Sequence, residues 1–191
     1  MEFQMSLLFT HSWEHALVAA VVESAKKDCP DCYLGRTAIQ KLVYFLHVLD
    51  VPMNYKFRIH RFGPFCDELA SAVDWLQADS VVVDEATTSK YSNYAPGPNF
   101  GEIAHSHGEE LEKHKETIDS VVGAMASLDP QELEVAATLD FAFRWVKARG
   151  DQGPWKDETI KKFKAIKKNK FSDAKIDDWY TALMSAGLIQ A

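Results

Sequence analysis

The stretch from Gly35 to Trp75 constrains the fold more than any other part of the chain. It opens on an apolar run, Ile39, Leu42, Val43, Leu46 and Leu49, whose spacing matches one face of a helix. Thr37 is the expected N-cap of that helix, with Gln40 three residues on as its capping-box partner, and Pro52 ends it. Tyr55 to Phe62 (YKFRIHRF) then alternates apolar and basic residues, which predicts a half-buried strand. Gly63-Pro64 turns the chain, and Pro64 suits the first turn of a following helix from Phe65 to about Gln77. Leu69, Ala72, Val73 and Leu76 share one face of that helix. Val81-Val82-Val83 predicts another strand, and Tyr91 to Tyr94 is the expected return strand across a polar turn.

Further helices are expected on either side. Trp13 to about Lys27 carries apolar residues close to a 3.6 period. After Pro96-Gly97-Pro98 the pattern is helical throughout: about 102–126, then a helix capped by Asp129-Pro130 and running to Lys147. Two more follow, about 156–168 and 173–186, the last capped by Ser172 and stopped by Gly187. The expected fold class is mainly α: a winged-helix-like α+β core within residues 1–98 and a helical C-terminal extension over 99–191.

Charge is uneven. The chain is −7 overall, yet residues 156–175 hold eight lysines against three acids, so that segment is +5 and the remainder −12. Winged helices that read DNA do so through their third helix. Here that segment carries Asp67, Glu68, Asp74 and Asp79 and no Lys or Arg, which opposes insertion beside phosphates. The lysine segment, with Lys161, Lys162, Lys164, Lys167 and Lys168, is the candidate nucleic-acid surface. Its other reading is the wet face of an amphipathic helix whose Ile160, Phe163 and Ile166 point inward.

Chemical motifs are sparse. Cys29-x-x-Cys32 reads as an incidental loop, a partial zinc site completed by Cys66 and a histidine, or a redox pair. Three cysteines without a basic leader predict reduced thiols and a cytoplasmic protein. His11 and His15 stand four apart, but Ser12 occupies the place where a zincin needs Glu; His105 and His107 diverge on a helix. The sequence contains no GxSxG elbow and no GxxxxGK[ST] loop. No catalytic residues, metal or cofactor are expected, and no apolar run approaches the roughly 20 residues of a membrane span.

GRTAIQKLVYFLH followed by FRIHRFGPFCDEL resembles the YwgA-like and Panacea (SocA-like) group of bacterial and phage proteins. Their pattern looks like G-[RK]-T-x-[LI]-Q-K-[LI]-x-Y, an aromatic strand, then [YF]-G-P-[YF]-x-x-x-L. The likeness covers about residues 13–95. It implies a non-enzymatic antitoxin or proteolysis-adaptor module that binds a protein partner. Arg36, Gln40, Lys41 and Tyr44 are expected on one exposed side of their helix, beside the turn Arg61, Phe62, Gly63, Pro64 and Phe65. Together they are the expected partner-binding face, with a toxin or a protease-delivered client as partner.

Overall fold

The structure, a computed structural model, describes residues 7–88, 90–150 and 153–190. It is mainly helical, with eight helices and two two-stranded sheets among the described residues. The chain forms two compact units: residues 1–57 with 65–128, and residues 58–64 with 129–191.

The first unit is built around α2 (Arg36–Val48), which packs against α1 (Trp13–Asp28), α3 (Asp67–Ala78) and α5 (Gly108–Met125). Every residue of α2 from Ala38 to Leu46 is buried. Ile39, Leu42, Val43 and Leu46 join Leu17, Val21, Leu69 and Val73 in the core, whereas Leu49, expected in the same stripe, is exposed. A helix covered on several sides needs more than one apolar stripe, and its polar residues must find buried partners. The helix also starts one residue before the expected cap. Gly35, not Thr37, occupies the cap position, and the Gln40 side chain is engaged elsewhere.

The β elements are shorter than the alternation predicts. Of Tyr55 to Phe62 only β1 (Arg58–His60) is strand, and it pairs with β2 (Gly63–Phe65). Pro64 therefore lies in a strand, and α3 begins after Cys66. The left-handed φ of 93° at Gly63 lets the chain reverse between these strands. β3 (Val82–Asp84) pairs antiparallel with β4 (Tyr94–Pro96), with Val83 opposite Ala95. Gly97 ends that ribbon where a Cβ would strike the Ser80 carbonyl, so only glycine fits the close approach.

The expected helix over 102–126 is two, α4 (Phe100–Ser106) and α5, with His107 at the break. Both belong to the first unit. Ile103, Ile118, Val121 and Val122 are buried there, α4 and α5 both pack on α1, and Ser24 Oγ donates to Asp119 Oδ1 at 2.8 Å.

In the second unit, α6 (Pro130–Ala148) is packed by α7 (Lys156–Lys167) and α8 (Asp173–Ser185). The sequence signals for its caps hold. Asp129 accepts from the backbone of Gln131 and Glu132 at 2.7 and 2.8 Å, and Ser172 caps α8. Among the described residues, no helix is long and apolar enough to cross a membrane.

Candidate docking surface

Three of the four residues expected on an exposed side of α2 are buried: Gln40 is 3%, Lys41 1% and Tyr44 3% exposed. Gln40 reads the backbone of Cys66 at both ends. Its Nε2 donates to the Cys66 carbonyl at 2.9 Å, and its Oε1 accepts the Cys66 N–H at 2.9 Å. This amide–peptide pair ties α2 to the chain entering α3. Tyr44 packs edge-on against Phe45 and Phe57. Gln40→Ala takes the side-chain acceptor from the buried Cys66 N–H and leaves the Cys66 carbonyl with the Ala70 N–H at 3.2 Å. It is expected to cost about 1–3 kcal/mol in urea unfolding; a variant as stable as the parent contradicts the clamp.

Arg36 alone of the four is on the surface. Its Nη2 donates to Asp74 Oδ1 at 2.7 Å, with both side chains about half exposed, and its guanidinium lies 5.9 Å from the centre of the Tyr94 ring. Hydrogen bonding to Asp74 outweighs partial burial and keeps the guanidinium firmly charged. Tyr33 and Tyr91 are both exposed, with ring centres 6.5 Å apart. Trp75 follows Asp74 on α3 and is exposed, with the Phe9 ring 4.8 Å away. These six exposed residues of one unit, Tyr91, Tyr33, Arg36, Asp74, Trp75 and Phe9, are called the strip. Apart from Arg36, these residues are not in the expected partner-binding face. Trp75 was readable, since the buried stripe of α3 (Leu69, Ala72, Val73, Leu76) leaves position 75 facing out.

Asp79 holds the Phe9 end in place. Its carboxylate accepts the N–H groups of Leu8 and Phe9 at 2.9 and 3.0 Å and contacts His11 Nε2 at 2.7 Å. Burial raises the Asp79 pKa, but these hydrogen bonds outweigh it and hold the group below its ordinary value. With the folded pKa below the unfolded one, the contribution is complete above about pH 5 and is lost as pH falls through the acid range below about 4. The amide resonances of Leu8 and Phe9 are therefore expected to move together on acidification, and Asp79→Asn to shift them at neutral pH. Resonances indifferent to both changes would show that Asp79 does not anchor the segment.

His11 and His15 are both engaged around the start of α1. His11 is bound to Asp79, and His15 Nδ1 accepts the Ser12 N–H at 3.1 Å at the start of α1. Burial, then His11, holds the His15 imidazole below its usual pKa. Cys29 and Cys32, expected as reduced thiols, are disulfide-bonded: the turn closing α1 brings their Cα atoms to 5.3 Å, within bridging range. Cys66 is buried with a free thiol that donates to Glu68 Oε2, and burial raises its pKa. Among the described residues, no three His, Cys, Asp or Glu side chains converge as metal ligands.

The expected turn lies largely in the second unit. Arg61 and Phe62 are exposed, with the guanidinium 5.3 Å from the ring centre, while Gly63 and Pro64 are buried. Phe65 belongs to the first unit and is half-buried. The lysine segment is largely matched by acids of its own unit. Lys156 pairs with Asp177, Lys161 with Glu158, Lys164 with Asp173, and Lys167 and Lys170 with Glu134. Lys162 sits 3.6 Å over the Trp145 ring, and Lys168 is exposed. The expected inward residues are only partly so: Phe163 is buried and Ile160 and Ile166 half-buried, whereas Lys167, expected at the wet face, is buried.

The two units differ in charge. The first carries eight basic and eighteen acidic residues, net −10; the second carries thirteen and ten, net +3. No protein-family model matches the chain, and no curated protein matches it either.

Proposed function

We propose that this chain is a non-enzymatic protein-binding module of antitoxin or proteolysis-adaptor type, and that its first unit is winged-helix-like. In that reading α1, α2 and α3 are the three helices and the β3–β4 ribbon is the wing. The strip from Tyr91 through Arg36 to Phe9 is the docking surface, and its occupant is a protein with a basic face. The observation that carries the reading is the composition of the strip. Exposed Tyr, Trp and Arg are the residue types that dominate interface energetics. They are already oriented by ring contacts and by the Arg36–Asp74 pair, which lowers the ordering cost on binding. The first unit's net charge of −10 steers a basic partner and repels nucleic acid. Arg61 and Phe62 are a second exposed Arg–aromatic pair, on the other unit, and form a separate candidate contact for a protein partner. Gln40, Lys41 and Tyr44 contribute from beneath, by fixing α2.

Arg36→Ala and Arg61→Ala are expected to weaken partner binding by about 1–3 kcal/mol each, the range of interface truncations, with the fold unchanged by circular dichroism. A nucleic-acid-binding regulator using Lys161, Lys162, Lys164, Lys167 and Lys168 is the competing function. The acid pairing of most of these lysines leaves less free charge for phosphate than their number suggests. If both arginine variants bind the partner as tightly as the parent does, the docking assignment fails.

A further inference from the structure

The disulfide stands at the head of the docking strip. Cys29 is the C-cap of α1, and Cys32 immediately precedes Tyr33. The short loop they close is stitched to the wing. The Lys26 ammonium donates to the Cys32 carbonyl at 2.8 Å and to Asn93 Oδ1 at 3.1 Å. The same Asn93 oxygen accepts the Leu34 N–H at 3.0 Å, and the Leu34 carbonyl accepts the Tyr94 N–H at 2.8 Å. Tyr33 and Tyr91, whose rings meet edge-on, are carried by these two segments. Both cysteines are partly exposed, whereas Cys66 is fully buried with a raised thiol pKa.

We propose that Cys29 and Cys32 are a reversible dithiol–disulfide couple whose oxidised form fixes the Tyr33–Tyr91 end of the docking strip. The co-reactant is a small thiol and its disulfide, of the glutathione class. In oxidation, the thiolate of one cysteine attacks the small disulfide and expels one small thiolate. The second cysteine then attacks the mixed disulfide and expels the other. One intramolecular S–S bond forms, the small disulfide's S–S bond breaks, and two electrons and two protons leave the pair in two small thiols. Reduction is the reverse. The pair sits at the C-terminal end of α1 beside Asp28 and Asp31, where thiolate is disfavoured, unlike the helix N-terminal pairs of redox catalysts. Slow exchange suits a switch rather than an oxidoreductase.

The inference uses the strip of the proposed docking function but is tested without a partner. Protein isolated aerobically is alkylated under native conditions before and after equilibration in reduced glutathione, and intact mass is read. No alkyl group is expected before and two after, with Cys66 modified only on unfolding. Amide hydrogen exchange over residues 30–36 and 91–94 is then compared between the two states. Reduction is expected to speed it on the order of tenfold, the scale of closing a ring this short. Cys29→Ser/Cys32→Ser is expected to show the fast rates without reductant and to ignore its addition. Two free thiols at every glutathione ratio, or equal exchange rates in the oxidised and reduced parent, overturn the proposal. Either failure leaves the docking assignment standing. Loss of that assignment, with Tyr33→Ala binding as the parent does, leaves the redox couple standing.

Discussion

Glu134→Ala is expected to destabilise the second unit by about 3–5 kcal/mol, the cost of breaking a buried ion pair from one side. Glu134 Oε1 lies 2.8 Å from Lys167 Nζ, with both side chains 3% exposed, and Oε2 lies 2.8 Å from Lys170 Nζ. Lys167 also donates to the Arg61 carbonyl at 3.0 Å. Burial draws the Lys167 pKa below its usual value, and the Glu134 carboxylate opposes that fall. Removing the carboxylate leaves one buried ammonium with a neutral carbonyl and a second beside it. Replacing the pair together, Glu134→Leu with Lys167→Met, is expected to recover most of the loss, because the desolvation penalty disappears with both charges. Urea unfolding followed by circular dichroism reads both effects. A single variant with an unchanged midpoint would mean that water reaches the pair.

Leu42→Ala is expected to cost the first unit about 2–5 kcal/mol. Leu42 has no exposed surface, and α2 is packed by α1, α3 and α5, so the surroundings cannot easily collapse into the space vacated. The spread of the expectation reflects that collapse. Loss of the parent's denaturant midpoint is the predicted result; an unchanged midpoint would put the helix on the surface.

Local signals in this sequence were legible, and long-range ones were not. Asp129-Pro130, Ser172 and Gly187 announce the ends of α6 and α8 because capping is settled within three or four residues. The stripe Ile39, Leu42, Val43 and Leu46 announces a buried helix face. That the opposite face is also buried depends on α5, more than sixty residues on, and periodicity cannot report it. Gln40 illustrates the same limit. Three residues after Thr37 it looks like a capping-box partner, but its amide meets a peptide twenty-six residues away. Lys167 looks like one more solvated lysine until Glu134 is placed beside it. The alternation over Tyr55–Phe62 overstated the strand, since only three residues find a ladder partner. Within the docking strip, Arg36 was in view from the start and Trp75 was one step away. Tyr33, Tyr91 and Phe9 required tertiary contacts with Asn93, Tyr94 and Asp79.

The proposed docking of a protein partner on the acidic, aromatic first unit is open to direct test. The most direct measurement begins with cross-linking in the native host to identify the partner, followed by calorimetric titration of purified components. The parent is compared with Tyr33→Ala, Arg36→Ala and a quadruple alanine variant of Lys161, Lys162, Lys167 and Lys168, each first checked for folding. The account predicts weakening of about 1–3 kcal/mol for each strip variant and a much smaller change for whichever lysine variant folds, including one that retains Lys167. The contradicting result is the reverse: strip variants that bind as the parent does, and lysine variants that lose binding to a nucleic acid whose affinity falls steeply as salt rises.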